Sequence, residues 1–194
     1  MYSFKQFLNE NTGEVKTIKE VIAECQPFLT ASKNRLVFRG MKNPTGAFTL
    51  STPSGDIPGY RMDVRTDRRP LDSNKLTHDA VDDYMEDKFG WRGRSAGLFV
   101  TTITNHASAY GDVYMILPRG DFKFIWSPKV SDLITKQMNV TSDIEKELRK
   151  FKYQSTDLTA ALNSGHEIMI SCKDYYAIPY THENYYAVTG AFDV

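Results

Sequence analysis

The chain has little of what would announce its chemistry directly. It carries two cysteines, Cys25 and Cys172, far apart and in different predicted elements. That excludes a disulfide framework and fits thiols kept reduced. Its four histidines, His78, His106, His166 and His182, are scattered and give no metal-ligand spacing. No apolar run approaches the length of a membrane span and no secretory apolar stretch opens the sequence, so no membrane contact is expected. Net charge is missing as well, because 24 Lys and Arg balance 24 Asp and Glu. No global field therefore draws the chain to nucleic acid or an anionic bilayer, which leaves only local patches.

What is present is material for one domain with a sizeable core: 194 residues, 41% of them hydrophobic and 12% aromatic. Met1 to Glu10 reads as a small amphipathic helix with Phe4, Phe7 and Leu8 at helical spacing, broken by Asn11-Thr12-Gly13. Glu14 to Leu29 carries Val15, Ile18, Val21, Ile22, Cys25 and Phe28, the stripe of a core helix. Asn34 to Gly40 is the first strand. Residues 43–70 are dense in Gly, Pro, Ser, Thr and Asp and read as a long irregular excursion. Arg61, Arg65, Arg68 and Arg69 cluster near its end, either solvated beside Asp63 and Asp67 or holding a phosphate backbone. A helix capped by Asp72 or Ser73 follows to Phe89, with Leu76, Ala80, Tyr84 and Met85 facing inward.

The stretch Gly97 to Tyr110 organises the rest. Leu98 to Thr102 has the composition of a buried strand, and Thr104 or Asn105 can cap a short helix ending at Tyr110-Gly111. Asp112 to Leu117 and Phe122 to Trp126 read as strands, Ser127-Pro128 as a helix entry, and Ser142-x-x-Glu145 as a capping box. Asn163-Ser164-Gly165 is a turn, after which Ile168 to Cys172, Tyr175 to Pro179 and Tyr185 to Thr189 read as short strands.

Three patches stand out by order and context. Leu36-Val37-Phe38-Arg39-Gly40 is an apolar strand ending in a cation and a flexible residue, Phe99-Val100-Thr101-Thr102 places hydroxyls at a strand end, and Glu167-Ile168-Met169-Ile170 begins a strand with a carboxylate. Taken singly, a strand-edge Arg or Glu is ordinary material for a surface ion pair, and Phe99 and Tyr110 are ordinary core. Together the three resemble the arginine, threonine and glutamate signature of the ADP-ribosyltransferases. The middle stretch resembles the Gly-Ile-Tyr-Phe-Ala…Ser-Ala-Asn-Tyr segment of the poly(ADP-ribose) polymerase branch. Phe38-Arg39-Gly40, with arginine in place of histidine, is closer to the arginine-led toxin branch.

That resemblance implies an α+β fold, a split core of two small, mainly antiparallel sheets with flanking helices. It implies NAD as substrate, with Arg39, Thr101 and Glu167 catalytic and Arg39, Gly40, Phe99, Thr102 and Tyr110 holding the dinucleotide. Glu167 would face the charge on the ribose, Arg39 would fix the dinucleotide, and Thr101, or else Thr102, would orient Glu167 or the ribose. Phe99 and Tyr110 would sandwich nicotinamide, and Gly40 would offer its backbone to the carboxamide. Two positions depart from the family: Ala107 replaces the carboxamide-binding serine, and Gly165 stands where arginine-modifying enzymes carry a second glutamate. The expected activity is mono-ADP-ribosylation of a host protein or nucleic acid. A non-enzymatic virion or host-interaction protein that keeps the fold as a binding module is the alternative. Residues 1–10 resemble the capsid-targeting prefixes of internal head proteins of large tailed bacteriophages, with a processing pattern at Leu8-Asn9-Glu10. The division expected is residues 1–10 as a targeting segment and 11–194 as one domain, met in the virion interior or host cytoplasm, with the phage capsid as a further partner during assembly.

Overall fold

The structure, a computed structural model, describes residues 14–69, 75–131 and 144–192. The prefix, the Asp72 or Ser73 cap and the Ser142 capping residue lie outside the described residues. Glu14 to Leu29 is not one helix. Its start, β1 (Val15–Thr17), joins a sheet edge, and α1 (Ile18–Glu24) begins at a reciprocal Thr17–Glu20 capping box. The break comes at Cys25, because Pro27 has no N–H to continue the first helix and instead opens α2 (Gln26–Ser32). Lys33 and Asn34, both at positive φ, turn the chain into β2 (Val37–Met41).

The excursion at 43–70 is largely ordered, which corrects the sequence expectation. β3 (Ala47–Thr52) and β4 (Gly55–Asp63) form an antiparallel hairpin, with Phe48, Leu50 and Ile57 buried at alternate positions. Next come α3 (Lys75–Phe89), the single-turn α4 (Gly93–Ala96), β5 (Leu98–Val100), α5 (Thr104–Ser108), β6 (Asp112–Pro118) and β7 (Lys123–Trp126). The chain closes with α6 (Ile144–Lys150), α7 (Leu158–Ser164), β8 (Ile168–Ser171), β9 (Asp174–Pro179) and α8 (His182–Thr189). In α3 the buried stripe is His78, Val81, Asp82 and Met85, while Leu76 faces outward. The Tyr185–Thr189 segment is helical rather than a strand, because Thr181 caps α8 by accepting from Asn184 N at 3.0 Å.

Two sheets result, mainly antiparallel, in an α+β architecture. Among the described residues six strands run in the order β1-β3-β4-β9-β6-β2 with only β1–β3 parallel, and three run β5-β8-β7. Alternation along the strands sorts side chains into layers. Met115 and Leu117 pack with Ile18, Val21 and Val188 on the α1 and α8 side of the large sheet. Tyr114 and Ile116 turn the other way, onto Ile168 and Ile170 of the small sheet. Met169, on the far face of β8, packs with Val81, Met85 and Leu148. The described elements thus stack as helix, sheet, sheet and helix.

An ion network holds one end of the large sheet. Glu24 accepts from Lys16 Nζ at 2.5 Å, Arg119 Nε at 2.6 Å and Tyr176 Oη at 2.7 Å, and Arg119 also reaches Asp174 at 2.9 Å. Burial pushes the Glu24 carboxyl up, but Lys16, Tyr176 and Arg119 outweigh it and leave it below its ordinary value of 4.5. As pH falls the unfolded chain therefore takes up this proton first. The stability Glu24 contributes is complete above 4.5 and lost as pH falls through the lowered folded value. Urea melts from neutral pH down to about pH 3 should show a smaller acid loss for Glu24→Gln than for wild type.

Candidate active site

The two sheets touch at their edge strands. Phe38 N donates to Thr101 O at 2.7 Å and Thr101 N to Phe38 O at 2.9 Å, a bridge tying β2 to the end of β5. One residue past that bridge, Arg39 Nη1 donates to Phe99 O at 2.8 Å. On the other side of β5, Val100 pairs with Ile168, so continuing the register places Thr101 opposite Glu167. Arg39, Thr101, Phe99 and Glu167, assigned to one site from sequence, are thus brought to one junction.

Their contacts refine the roles expected of them. The Thr101 hydroxyl donates to Gly165 O at 3.0 Å and accepts from Ile103 N at 3.2 Å. It therefore fixes the turn before Glu167 rather than reaching the carboxylate itself. Gly165, at φ 70°, caps α7 and aims the chain into β8, and Glu167 N donates to Ser131 O at 2.8 Å. Thr102 is tied away, its hydroxyl donating to Leu162 O at 3.0 Å. Gly40 lets α5 lie directly on β2: a Cβ there would stand 1.9 Å from Ala107 O. Phe38 N and O turn toward β5, so Gly40, two residues on, presents its own N–H and C=O to the same sheet edge. Tyr110, half exposed, lies beyond the end of α5 next to Gly111, which packs on Met41 O.

Two further arginines join them: Arg94, to which the sequence reading gave no role, and Arg68, noted there only within a cluster able to hold a phosphate backbone. The guanidinium of Arg68 stands 4.6 Å from the Phe99 ring centre and that of Arg94 5.1 Å. Arg94 Nη1 lies 3.6 Å from Glu167 Oε1, and the Arg94 Nε is buried without a hydrogen-bond partner among the described residues. Of the four arginines noted between positions 61 and 69, Arg68 is the one that lies against the Phe99 ring. Arg61 pairs with Glu14 and Asp174, and Arg65 with Asp67 at 3.5 Å in solvent. Burial, together with Arg39, Arg65 and Arg94, pushes Arg68 down to about 10. Burial also lowers Arg39, against the pull of Tyr175 and Glu167. Among the described residues the guanidiniums of Arg39, Arg68 and Arg94 gather around one carboxylate, Glu167, an arrangement chemically able to receive an anion.

Other chemistries find less support. Burial pushes the Cys25 thiol up, and carries Cys172 up to about 12, so neither is a ready nucleophile at neutral pH. Among the described residues no group of three or more His, Cys, Asp and Glu could hold a metal ion, and no helix is long and apolar enough to cross a membrane. No protein-family model, curated protein or solved structure matches the chain.

Proposed function

We propose that the chain is a NAD-dependent mono-ADP-ribosyltransferase acting on a host protein or nucleic acid. The observation that supports this reading best is the meeting of Arg39, Thr101, Phe99 and Glu167 where the edge strands of two sheets join. The reaction breaks the bond between ribose C1′ and the nicotinamide nitrogen. Nicotinamide leaves neutral with the bonding pair, positive charge grows on the ribose, an acceptor nucleophile closes on C1′, and its proton is released. The Glu167 carboxylate faces that charge and favours the transition state over the ground state. Arg39 and Arg68 take the diphosphate oxygens, Gly40 offers its edge backbone to the carboxamide, and Arg94 orients Glu167.

One observation favours a second reading. Both arginines over Phe99 occupy space that a stacked ring would use, which suits a module that binds nucleotide phosphates without turnover. Incubation with NAD labelled in the adenylate half, with and without host lysate, separates the two. The transferase releases nicotinamide and leaves label on protein or nucleic acid. Saturable ADP binding without nicotinamide release supports the module, and failure to bind either nucleotide overturns both.

A further inference from the structure

A buried polar cluster lies behind Arg94. Asp82, on α3, is 1% exposed, yet its carboxylate accepts from Arg94 N at 2.7 Å and from Ser95 N at 3.0 and 3.2 Å. It also accepts from the Ser95 hydroxyl, and His78 Nε2 lies 3.1 Å from Ser95 Oγ and 3.4 Å from Asp82 Oδ2. Serine, histidine and aspartate invite a hydrolytic reading, but the geometry refuses it. His78 presents the same nitrogen to both partners, and the hydroxyl donates directly to the carboxylate, so no relay runs from aspartate through imidazole to serine.

The cluster does something else. The residue before α4, Arg92, provides no side-chain cap, and Asp82 takes that place from another helix by accepting the N–H groups of the second and third residues of α4, those a capping side chain takes. Gly93 completes the fit, since a Cβ there would stand 2.7 Å from Met85 Sδ. The backbone of Arg94 is therefore held from behind while its side chain, 9% exposed, lies over Phe99 and against Glu167. The guanidinium itself is held loosely, by a 3.6 Å ion pair with Glu167 and the Phe99 ring, and among the described residues its Nε finds no hydrogen-bond partner.

We infer that Asp82 is a positioning residue: it caps α4 so that Arg94 is presented to Glu167 and to an anionic ligand at the junction. The inference rests on the proposed site but not on turnover, so one readout must be independent of activity. In the full-length protein, Asp82→Asn keeps one acceptor oxygen and the side-chain shape. The Nε–H of Arg94, followed by nitrogen-15 NMR, should exchange with water about tenfold faster, while amides of β8 and β9 keep their protection. Affinity for ADP should weaken severalfold. If the protein turns over NAD, kcat should fall about tenfold or more through the misplaced pair, with a smaller change in KM. The same substitution in an Arg94→Ala background should then cost little more, whereas an aspartate that merely stabilises the fold would cost equally in both. Should Asp82→Asn not fold, Ser95→Ala, which removes one bond to the carboxylate, should move the same readouts in the same direction. Unchanged Arg94 exchange, or full additivity with Arg94→Ala, overturns the inference. A protein without NAD turnover whose Arg94 still loosens would remove the transferase reading and leave the positioning role standing.

Discussion

Glu167→Gln should lower NAD turnover by about two orders of magnitude or more, with nucleotide affinity changed far less. The substitution keeps the shape and removes the charge. Glu167 is held by its own N–H on Ser131 O and by the turn that Thr101 grips at Gly165 O. A neutral amide keeps these backbone anchors and removes the charge that faces Arg94 and, in the proposed reaction, the ribose. Single-turnover measurement of nicotinamide release, alongside ADP titration of both proteins, checks it. Equal rates would take Glu167 out of the mechanism, and an equal loss of affinity and rate would make it a binding residue.

The largest expected effect on stability is at Gly40. An alanine Cβ would sit 1.9 Å from Ala107 O and 2.9 Å from Ala107 C, and both are backbone atoms that cannot swing aside. Either α5 lifts from β2 or the strand edge bends, an overpacking cost of roughly 3 kcal/mol. For a chain of this size that is on the order of 10 °C in Tm. Gly120, at φ 64° but with nothing within 4 Å of a Cβ, is the control, because Gly120→Ala meets backbone strain but no clash. Thermal melts of both variants decide it. A Gly40→Ala protein as stable as Gly120→Ala would show that the α5 contact is soft.

How much of this was legible beforehand depended on whether a signal was local. The three strands at the junction were readable, because Leu36 to Gly40, Leu98 to Thr102 and Glu167 to Ile170 are short apolar runs with a polar residue at one end. The β3–β4 hairpin was hidden by its composition: its exposed face is built of Thr, Ser, Asp and Pro, which read as loop, and only Phe48, Leu50 and Ile57 keep the two-residue period. In α8, Tyr185-Tyr186-Ala187-Val188-Thr189 has strand-like propensity that the Thr181 cap and the burial of Val188 override. Asp82 and Arg94 were out of reach for a different reason. They are twelve residues apart on separate helices, and neither belongs to a motif. Their pairing is a product of the α3–α4 packing, and nothing in the residues themselves points from one to the other.

The bridge between Phe38 and Thr101 also has a meaning in time. Arg39 meets Phe99 across 60 positions of chain and Thr101 meets Gly165 across 64, so the junction is closed by long loops at both steps. Residues 39 and 167 are separated by 128 positions, which a ribosome adding about 5–20 residues per second covers in roughly 6 to 26 s. Throughout that interval the nascent chain holds the arginine without the carboxylate, joined by the threonine only about halfway. Any truncated or stalled product that ends before β8 lacks the third strand end of the junction, which is complete only once both sheets have emerged.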